Sequence, residues 1–261
     1  MSGLRPHLRS LGAGVLDFIL PRHCIACDGA LGGSEPGVVC GRCWAGLPRL
    51  PLPQCPRCGH PTPVGGAHVA HSAARRCYWC DNLPPYVRAV RSVCWMPGGA
   101  AAAVVQALKY EGWSAAAEGM AERMARLAWP EDVIEERAGL VPVPLAPTRL
   151  RERGYNQSAL IASALGRRWK LPAWNDALRR TRATESQTRL TPGERLRNVA
   201  GAFLACSSAR NRLRGAHVVL VDDVVTTAAT LNACAAALVA GGARIISYVT
   251  FARAPAAGDT R

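Results

Sequence analysis

The stretch V-V-L-V-D-D-V-V-T-T-A-A-T-L, residues 218–231, decides how the rest of the chain is interpreted. Its first four residues are apolar and indicate a buried strand. Two adjacent aspartates, Asp222 and Asp223, and a threonine-rich turn follow, and the apolar run 229–240 then indicates a helix that ends at Gly241. A strand that leads directly into a helix is typical of α/β proteins, which bind ligands beyond the carboxyl ends of their strands.

The same alternation of strands and helices extends over the last two-thirds of the chain. Apolar patterns predict strands at 89–95, 140–145, 217–223 and 243–252, helices at 100–112, 119–129, 158–169 and 229–240, and a short helix that begins at the capping box 191–194. The strands are continuously apolar, which is typical of strands buried on both faces. The predicted fold class is therefore α/β, with an open parallel sheet covered by helices.

The chemistry of the 218–231 stretch indicates a sugar phosphate. Backbone N–H groups of a turn that opens a helix bind anions, whereas the two carboxylates suit diol hydroxyls or a divalent cation. An apolar run that ends in two aspartates also resembles the magnesium-binding strand of a nucleoside triphosphatase. The chain contains no G-x-x-x-x-G-K-[ST] loop, which excludes that class. A simple helix cap explains only one of the two aspartates.

Cysteines dominate the N-terminal part. Eight of the 11 form four C-x-x-C pairs: Cys24/Cys27, Cys40/Cys43, Cys55/Cys58 and Cys77/Cys80. Two such pairs complete a tetrahedral zinc site, so the chain is predicted to hold two structural zinc ions in a double zinc ribbon at 23–82. Sequential pairing of the four pairs is favoured, and crossed pairing is the alternative. A redox motif, or replacement of a cysteine ligand by His60, His68 or His71, are the other interpretations.

The charge is strongly basic, with a formal net charge of +14. Residues 149–214 contain 15 basic and 4 acidic side chains, a net charge of +11. Arginine suits phosphate recognition, so an anionic partner is predicted, either a phosphorylated small molecule or nucleic acid. Four aromatic residues near the ribbons offer either stacking surfaces for bases or a small ribbon core: Trp44, Tyr78, Trp79 and Tyr86.

The ends of the chain carry no predicted domain. Residues 1–22 are interpreted as an amphipathic helix or arm and not a signal peptide, because Asp17 interrupts the apolar stretch and no small-residue cleavage site follows. Residues 255–261 are predicted to be a disordered tail. We expect no transmembrane segment, and reduced, metal-bound cysteines favour the cytoplasm.

Several separate motifs together resemble one family. V-V-L-V-D-D-V-V-T-T-A-A-T is similar to the ribose-phosphate motif of class I phosphoribosyltransferases. The runs L-K-Y-E-G at 108–112, L-V-P-V-P-L-A-P-T-R-L-R-E-R-G-Y-N-Q at 140–157 and a Q-x-x-L…E-R-x-x-N…G-A-F string at 187–203 resemble the ComF family. The resemblance covers about residues 18–253. It implies a double zinc ribbon ahead of a phosphoribosyltransferase-like domain, here at 86–254, and an association with competence and DNA uptake.

The resemblance also implies roles for individual residues. Asp222 and Asp223 would be the catalytic pair that holds the ribose hydroxyls of phosphoribosyl pyrophosphate, with magnesium as the cofactor of a transfer reaction. The 5-phosphate would lie in the turn formed by Thr226, Thr227, Ala228, Ala229 and Thr230. The loop 143–149 would hold pyrophosphate, and 182–198 would close over the site. Candidates for these two regions are Pro144, Arg149, Arg153, Asn156, Gln157, Gln187, Arg195 and Asn198.

Two features leave the function open. Ala228 stands where the motif has glycine, and its methyl group matters only if the backbone there needs a positive φ. The run R-E-R-G-Y-N-Q (151–157) is the strongest family signature, and it has either a functional role or a purely structural one. One interpretation is a competence-associated protein that binds a ribose phosphate and single-stranded DNA, with a helicase or uptake machinery as partner. The other is an active magnesium-dependent phosphoribosyltransferase with an unknown acceptor.

Overall fold

The computed structural model describes residues 22–32, 37–62, 77–96, 98–181 and 201–255. Its centre is a four-stranded parallel sheet with the strand order β1-β6-β5-β2. The strands are β1 (Val87–Trp95), β2 (Arg137–Pro142), β5 (His217–Val225) and β6 (Ile245–Arg253), and β3 (Leu178–Arg180) pairs antiparallel with β4 (Phe203–Ala205) in a separate small sheet. The α/β fold with a parallel sheet is thus confirmed.

Helices connect the strands and cover the sheet. The α-helices are α1 (Gly41–Ala45), α2 (Gly99–Tyr110), α3 (Ala116–Ala125), α4 (Glu131–Glu136), α5 (Pro147–Arg153), α6 (Gln157–Trp169), α7 (Arg210–Leu213) and α8 (Ala229–Ala240), with short 3-10 turns at Tyr78–Asn82 and Ser207–Ala209. The bounds of α8 match the prediction. The helix predicted at 119–129 lies at Ala116–Ala125, and the apolar run 140–145 leaves the sheet after Pro142 because prolines alternate along it.

The sheet separates two cores. Side chains of a strand alternate between its faces, so Val218 and Leu220 pack on one side and Val219 and Val221 on the other. Helix α8 covers the first side, and α2, α3 and α6 cover the second. All four of these β5 residues are fully buried, which explains why this stretch contains no alternating polar residues.

The cysteine-rich part packs onto this sheet along its edge strand β1. Backbone hydrogen bonds join Val90 N to Arg57 O at 2.9 Å and Trp95 N to Pro48 O at 2.8 Å. Arg253, fully buried at the end of β6, donates to Cys58 O at 2.6 Å. The ribbons therefore cover an edge that would otherwise present unpaired backbone groups.

Some sequence expectations fall outside the described residues. These are residues 1–21 of the predicted N-terminal arm, His68 and His71, the capping box at 191–194, the closing segment 182–198 and residues 256–261 of the predicted tail. Among the helices that the structure describes, none combines the length and apolar character needed to cross a membrane.

Candidate functional site

The acidic pair lies at the carboxyl end of β5, next to the point where β2 leaves the sheet. Asp222 is half-buried, and its Oδ1 accepts hydrogen bonds from Ser158 Oγ at 2.8 Å and from the backbone N–H of Asp223 at 3.0 Å. Asp223 is 2% exposed and its Oδ1 accepts a hydrogen bond from Gln157 Nε2 at 3.2 Å. Both predicted acids are therefore held in place by the start of α6.

Lys109 completes this cluster, and the sequence did not identify it as a site residue. It lies in the last turn of α2, and its ammonium group forms an ion pair with Asp223 Oδ2. Only 23% of its side chain is exposed. Two signals were available: Lys109 lies in the L-K-Y-E-G run at 108–112, and it is one of two lysines in a chain whose other Lys and Arg side chains are all arginines.

The charges in this cluster alter its titration. Burial and, to a smaller degree, repulsion by Asp223 raise the pKa of Asp222 to about 7. Burial alone would lower the pKa of Lys109, but attraction to Asp223 and Asp222 outweighs burial and raises that pKa. Both aspartates offer side-chain oxygens as hydrogen-bond acceptors, which suits sugar hydroxyls.

The turn after β5 has the shape of an anion cradle. Ala228 adopts a left-handed backbone conformation, with φ 60° and ψ 6°, immediately before α8 begins at Ala229. The turn at this position thus requires a positive φ, which glycine, the residue of the family motif, adopts without strain. Thr227 Oγ1 is buried and has no hydrogen-bond partner among the described residues. A buried hydroxyl without a partner beside the first turn of a helix fits a phosphate oxygen.

The R-E-R-G-Y-N-Q signature has a structural explanation. Asn156 caps α6, because its Oδ1 accepts from Ser158 N at 3.0 Å, while its Nδ2 donates to Val143 O at 3.0 Å. Tyr155 Oη donates to Leu108 O at 2.6 Å. The signature therefore ties together the end of α2, the loop after β2 and the start of α6.

The same signature also contacts the acidic pair. Arg153 Nη1 donates to Gln157 Oε1 at 2.6 Å, and Gln157 Nε2 donates to Asp223. Gln157 is 5% exposed, so its amide is fixed in orientation by these two bonds. Gln157 thus orients Asp223 rather than facing a ligand directly.

The segment 143–149 is only partly a loop. Pro144 is half-buried in its open part, whereas 147–149 form the first turn of α5, with Pro147 at the helix start. Arg149 is exposed and lies 3.7 Å from Glu152. Three other predicted site residues lie outside the described part of the chain: Gln187, Arg195 and Asn198.

The eight predicted metal ligands form two clusters. Cys24, Cys27, Cys40 and Cys43 make one and Cys55, Cys58, Cys77 and Cys80 the other, with the four ligand atoms of each cluster within 4.8 Å of one another. The pairing is therefore sequential. The described Sγ–Sγ contacts of 3.6–3.8 Å match the edge of a tetrahedron with zinc–sulfur bonds of about 2.3 Å and are far from a disulfide length of about 2.05 Å.

The local backbone supports metal ligation. Asp28 and Gly59 have positive φ values of 58° and 65° and turn the chain just after the first cysteine pair of each cluster. Burial acts to raise the pKa of Cys24, but N–H groups, including that of Cys40 at 3.3 Å from its sulfur, lower it to about 7. Such a thiol loses its proton readily to a bound metal.

His60 and the two tryptophans of this region, Trp44 and Trp79, serve packing. His60 is buried outside the cysteine cluster, and its Nε2 lies 2.7 Å from Tyr78 Oη. Trp79 is 2% exposed and lies under the guanidinium of Arg253. Trp44 packs edge-on against Phe251 and under Arg123. The ribbon tryptophans therefore form an interface with the sheet and are not base-stacking surfaces.

Comparison with known proteins agrees with this architecture. Residues 15–81 match the family model described as a double zinc ribbon domain, and residues 157–260 match the phosphoribosyl transferase domain. DNA utilization protein YhgH of Salmonella typhimurium (strain LT2) is 32% identical over 235 residues, which cover 87% of this chain and 95% of that protein. The Escherichia coli O157:H7 protein of the same name is 32% identical over 74% of this chain and 80% of its own length.

A third relative is named for competence. Competence protein F of Haemophilus influenzae is 38% identical over 112 residues, which cover 43% of this chain and 45% of that protein. The ordered cysteine clusters, the parallel sheet with its acidic pair and these relatives agree in domain order and motif content. The chain therefore belongs to the ComF family, in which a double zinc ribbon precedes a phosphoribosyltransferase-like domain.

Proposed function

We propose that the chain binds a ribose 5-phosphate ligand of the phosphoribosyl pyrophosphate type, and that it also binds single-stranded DNA during DNA utilization or uptake. The observation that carries the first half is the position of the acidic pair directly before the left-handed turn at Ala228. Ser158 and a backbone N–H fix the orientation of the Asp222 carboxylate. Asp222 would therefore accept hydrogen bonds from the ribose hydroxyls. The hydroxyl of Thr227 and the start of α8 would bind the phosphate.

Magnesium has a secondary place in this proposal. Asp223 already forms an ion pair with Lys109 and accepts a hydrogen bond from Gln157, so a cation of the chain itself neutralises it. Magnesium typically retains several waters and binds through one or two carboxylates plus substrate phosphates. We therefore expect Asp222 and the ligand's pyrophosphate to hold any magnesium ion, with no demand on Asp223.

The second half of the proposal concerns DNA. The full chain carries a formal net charge of +14, and residues 149–214 contribute +11 of this charge. Relatives over most of the chain are named DNA utilization protein, and shorter matches are named competence proteins. We infer a cytoplasmic role in DNA utilization or uptake, with a competence helicase or other uptake machinery as the protein partner.

Active transfer of the phosphoribosyl group is the competing function. The retained acidic pair favours it, and arginines near the pyrophosphate would stabilise the leaving charge. No described residue near the site selects a nucleobase acceptor. The two functions differ in one measurable product, because only the transferase releases pyrophosphate.

Calorimetric titration tests the ligand proposal. Phosphoribosyl pyrophosphate with magnesium, and ribose 5-phosphate without it, should both bind the wild-type chain. Asp222→Asn should remove or greatly weaken both, whereas Asp176→Asn, an exposed aspartate paired with Arg212, should bind like wild type. Equal heats for wild type and Asp222→Asn would refute the site. Asp223 is avoided as a first variant because its loss would leave the Lys109 cation buried without its partner.

A further inference from the structure

We propose that an exposed aromatic and basic surface beside the ribose-phosphate site binds single-stranded DNA. This rim surface consists of Tyr110, Trp113, Arg149, Arg151 and Arg153. The inference rests on the DNA-binding half of the proposed function and adds the location of binding. It places the DNA on the phosphoribosyltransferase-like domain and not on the ribbons.

The aromatic half of the rim surface lies at the end of α2. Tyr110 is 64% exposed and Trp113 is 43% exposed, and both follow Lys109 closely in the chain. Trp113 N donates to Ala107 O at 3.2 Å, which fixes the turn between the two rings. Exposed aromatic rings beside basic side chains are the usual means by which proteins stack the bases of single strands.

The basic half is helix α5. It contains three arginines and one glutamate in seven residues, and none of its residues is buried. Arg149 and Arg151 are both exposed. A helix usually buries one face, so α5 with no buried side chain gains little from packing. Arg149 and Arg151 are therefore available to phosphates, which arginine binds well.

The two halves meet at the edge of the acidic site. The guanidinium of Arg153 lies 5.2 Å from the ring centre of Tyr110. Arg153 also bonds to Gln157, which in turn bonds to Asp223. One continuous set of contacts thus leads from an exposed ring to the acidic pair, and a strand stacked on Tyr110 would present its sugar-phosphate backbone near that pair.

The ribbons are the rival surface, and their charge argues against them. Each four-cysteine zinc centre has a net charge of −2, since four thiolates surround one divalent ion. Tyr78 is the exposed aromatic residue of the described ribbon part, at 53%, and its hydroxyl bonds to His60. The ribbon tryptophans are covered by arginines and by the sheet. The rim surface therefore offers positive charge and exposed aromatic rings to single-stranded DNA better than the ribbons do.

Fluorescence anisotropy with labelled oligodeoxythymidine tests this inference on the full-length zinc-loaded chain. We expect Tyr110→Ala with Trp113→Ala to weaken binding about tenfold or more. Arg149→Gln combined with Arg151→Gln should reduce the slope of log affinity against log salt by about 1.4, because each of the two lost phosphate contacts contributes about 0.7 to that slope. The matched controls are Ile134→Ala, 51% exposed on α4, and Arg214→Gln, exposed before β5. Both lie near the amino ends of β2 and β5, away from the carboxyl ends that carry the site, and should change nothing.

The outcomes separate this inference from the proposed function. Binding by wild type that Tyr78→Ala weakens, while the rim variants bind normally, would overturn the rim surface and leave the DNA proposal intact. A wild type that binds no oligodeoxythymidine would overturn both. Tighter binding of oligouridine than of oligodeoxythymidine would overturn the assignment to DNA. The unfolding midpoints of the rim variants are measured as a control. If they equal that of the wild type, weaker DNA binding comes from the altered surface and not from loss of folding.

Discussion

Replacing Ala228 with glycine tests how the turn of the site stores strain. Ala228 has φ 60°, which costs a non-glycine residue about 1–2 kcal/mol. Glycine removes this cost but loses a buried methyl group, worth about 0.8 kcal/mol, and adds about 0.4–1 kcal/mol of unfolded-state entropy. These contributions nearly cancel, so Ala228→Gly should change the free energy of unfolding by less than about 1 kcal/mol.

Ala229 provides the matched control in the next position. Both alanines are 3% exposed, but Ala229 begins α8 with helical backbone and has no strain to release. Ala229→Gly should therefore destabilise the chain by about 1–2 kcal/mol. Urea unfolding at a single temperature, followed by circular dichroism, measures both variants. Equal losses for the two substitutions would refute the argument that Ala228 is strained.

The same substitution has a consequence for the ligand. Glycine lets the backbone approach a phosphate more closely than alanine does. If the turn binds the 5-phosphate, Ala228→Gly should bind ribose 5-phosphate at least as tightly as wild type. Weaker binding by Ala228→Gly would show that the methyl group of Ala228 has a positive role in the site.

Three further measurements test the rest of the structure. Metal analysis should find two zinc ions per chain, and Cys58→Ser should lower the content to about one; one or none in the wild type would contradict the double ribbon. Lys109→Met should destabilise the chain by about 3 kcal/mol, because Asp223 then loses its cation in a buried position, and a neutral effect in urea unfolding would show that the ion pair is unimportant. Since the pKa of Asp222 is raised to about 7, the folded state binds the extra proton, and stability should fall as pH rises from about 4 to 7 and then level off. Asp222→Asn should flatten that fall, and an equal pH slope in both proteins would contradict the raised pKa.

Local patterns were sufficient for the features that depend on neighbouring residues. The strand–turn–helix unit at 217–240 was predictable because its apolar runs and turn residues are contiguous, and the bounds of α8 match. The four C-x-x-C pairs were predictable for the same reason, since each pair is a local unit. Their sequential pairing was only a preference until the structure brought the sulfur atoms together.

Features that depend on tertiary contacts were not predictable. Ser158 and Lys109 reach the acidic pair from α6 and α2, and no spacing in the sequence connects them to it. Helix α5 was missed because it has no apolar face and therefore no periodicity. The consequence of Ala228 depended on the sign of φ, which only the backbone conformation reveals.

The most direct test of the central claim is a crystal structure of the chain with phosphoribosyl pyrophosphate and magnesium. The ribose-phosphate site predicts ribose hydroxyls within hydrogen-bonding distance of Asp222 and a 5-phosphate against Thr227 and the start of α8, with Lys109 still paired to Asp223. A ligand bound elsewhere on the protein, or none at saturating concentration, would contradict the assignment of Asp222 and Asp223 to a ribose-phosphate site.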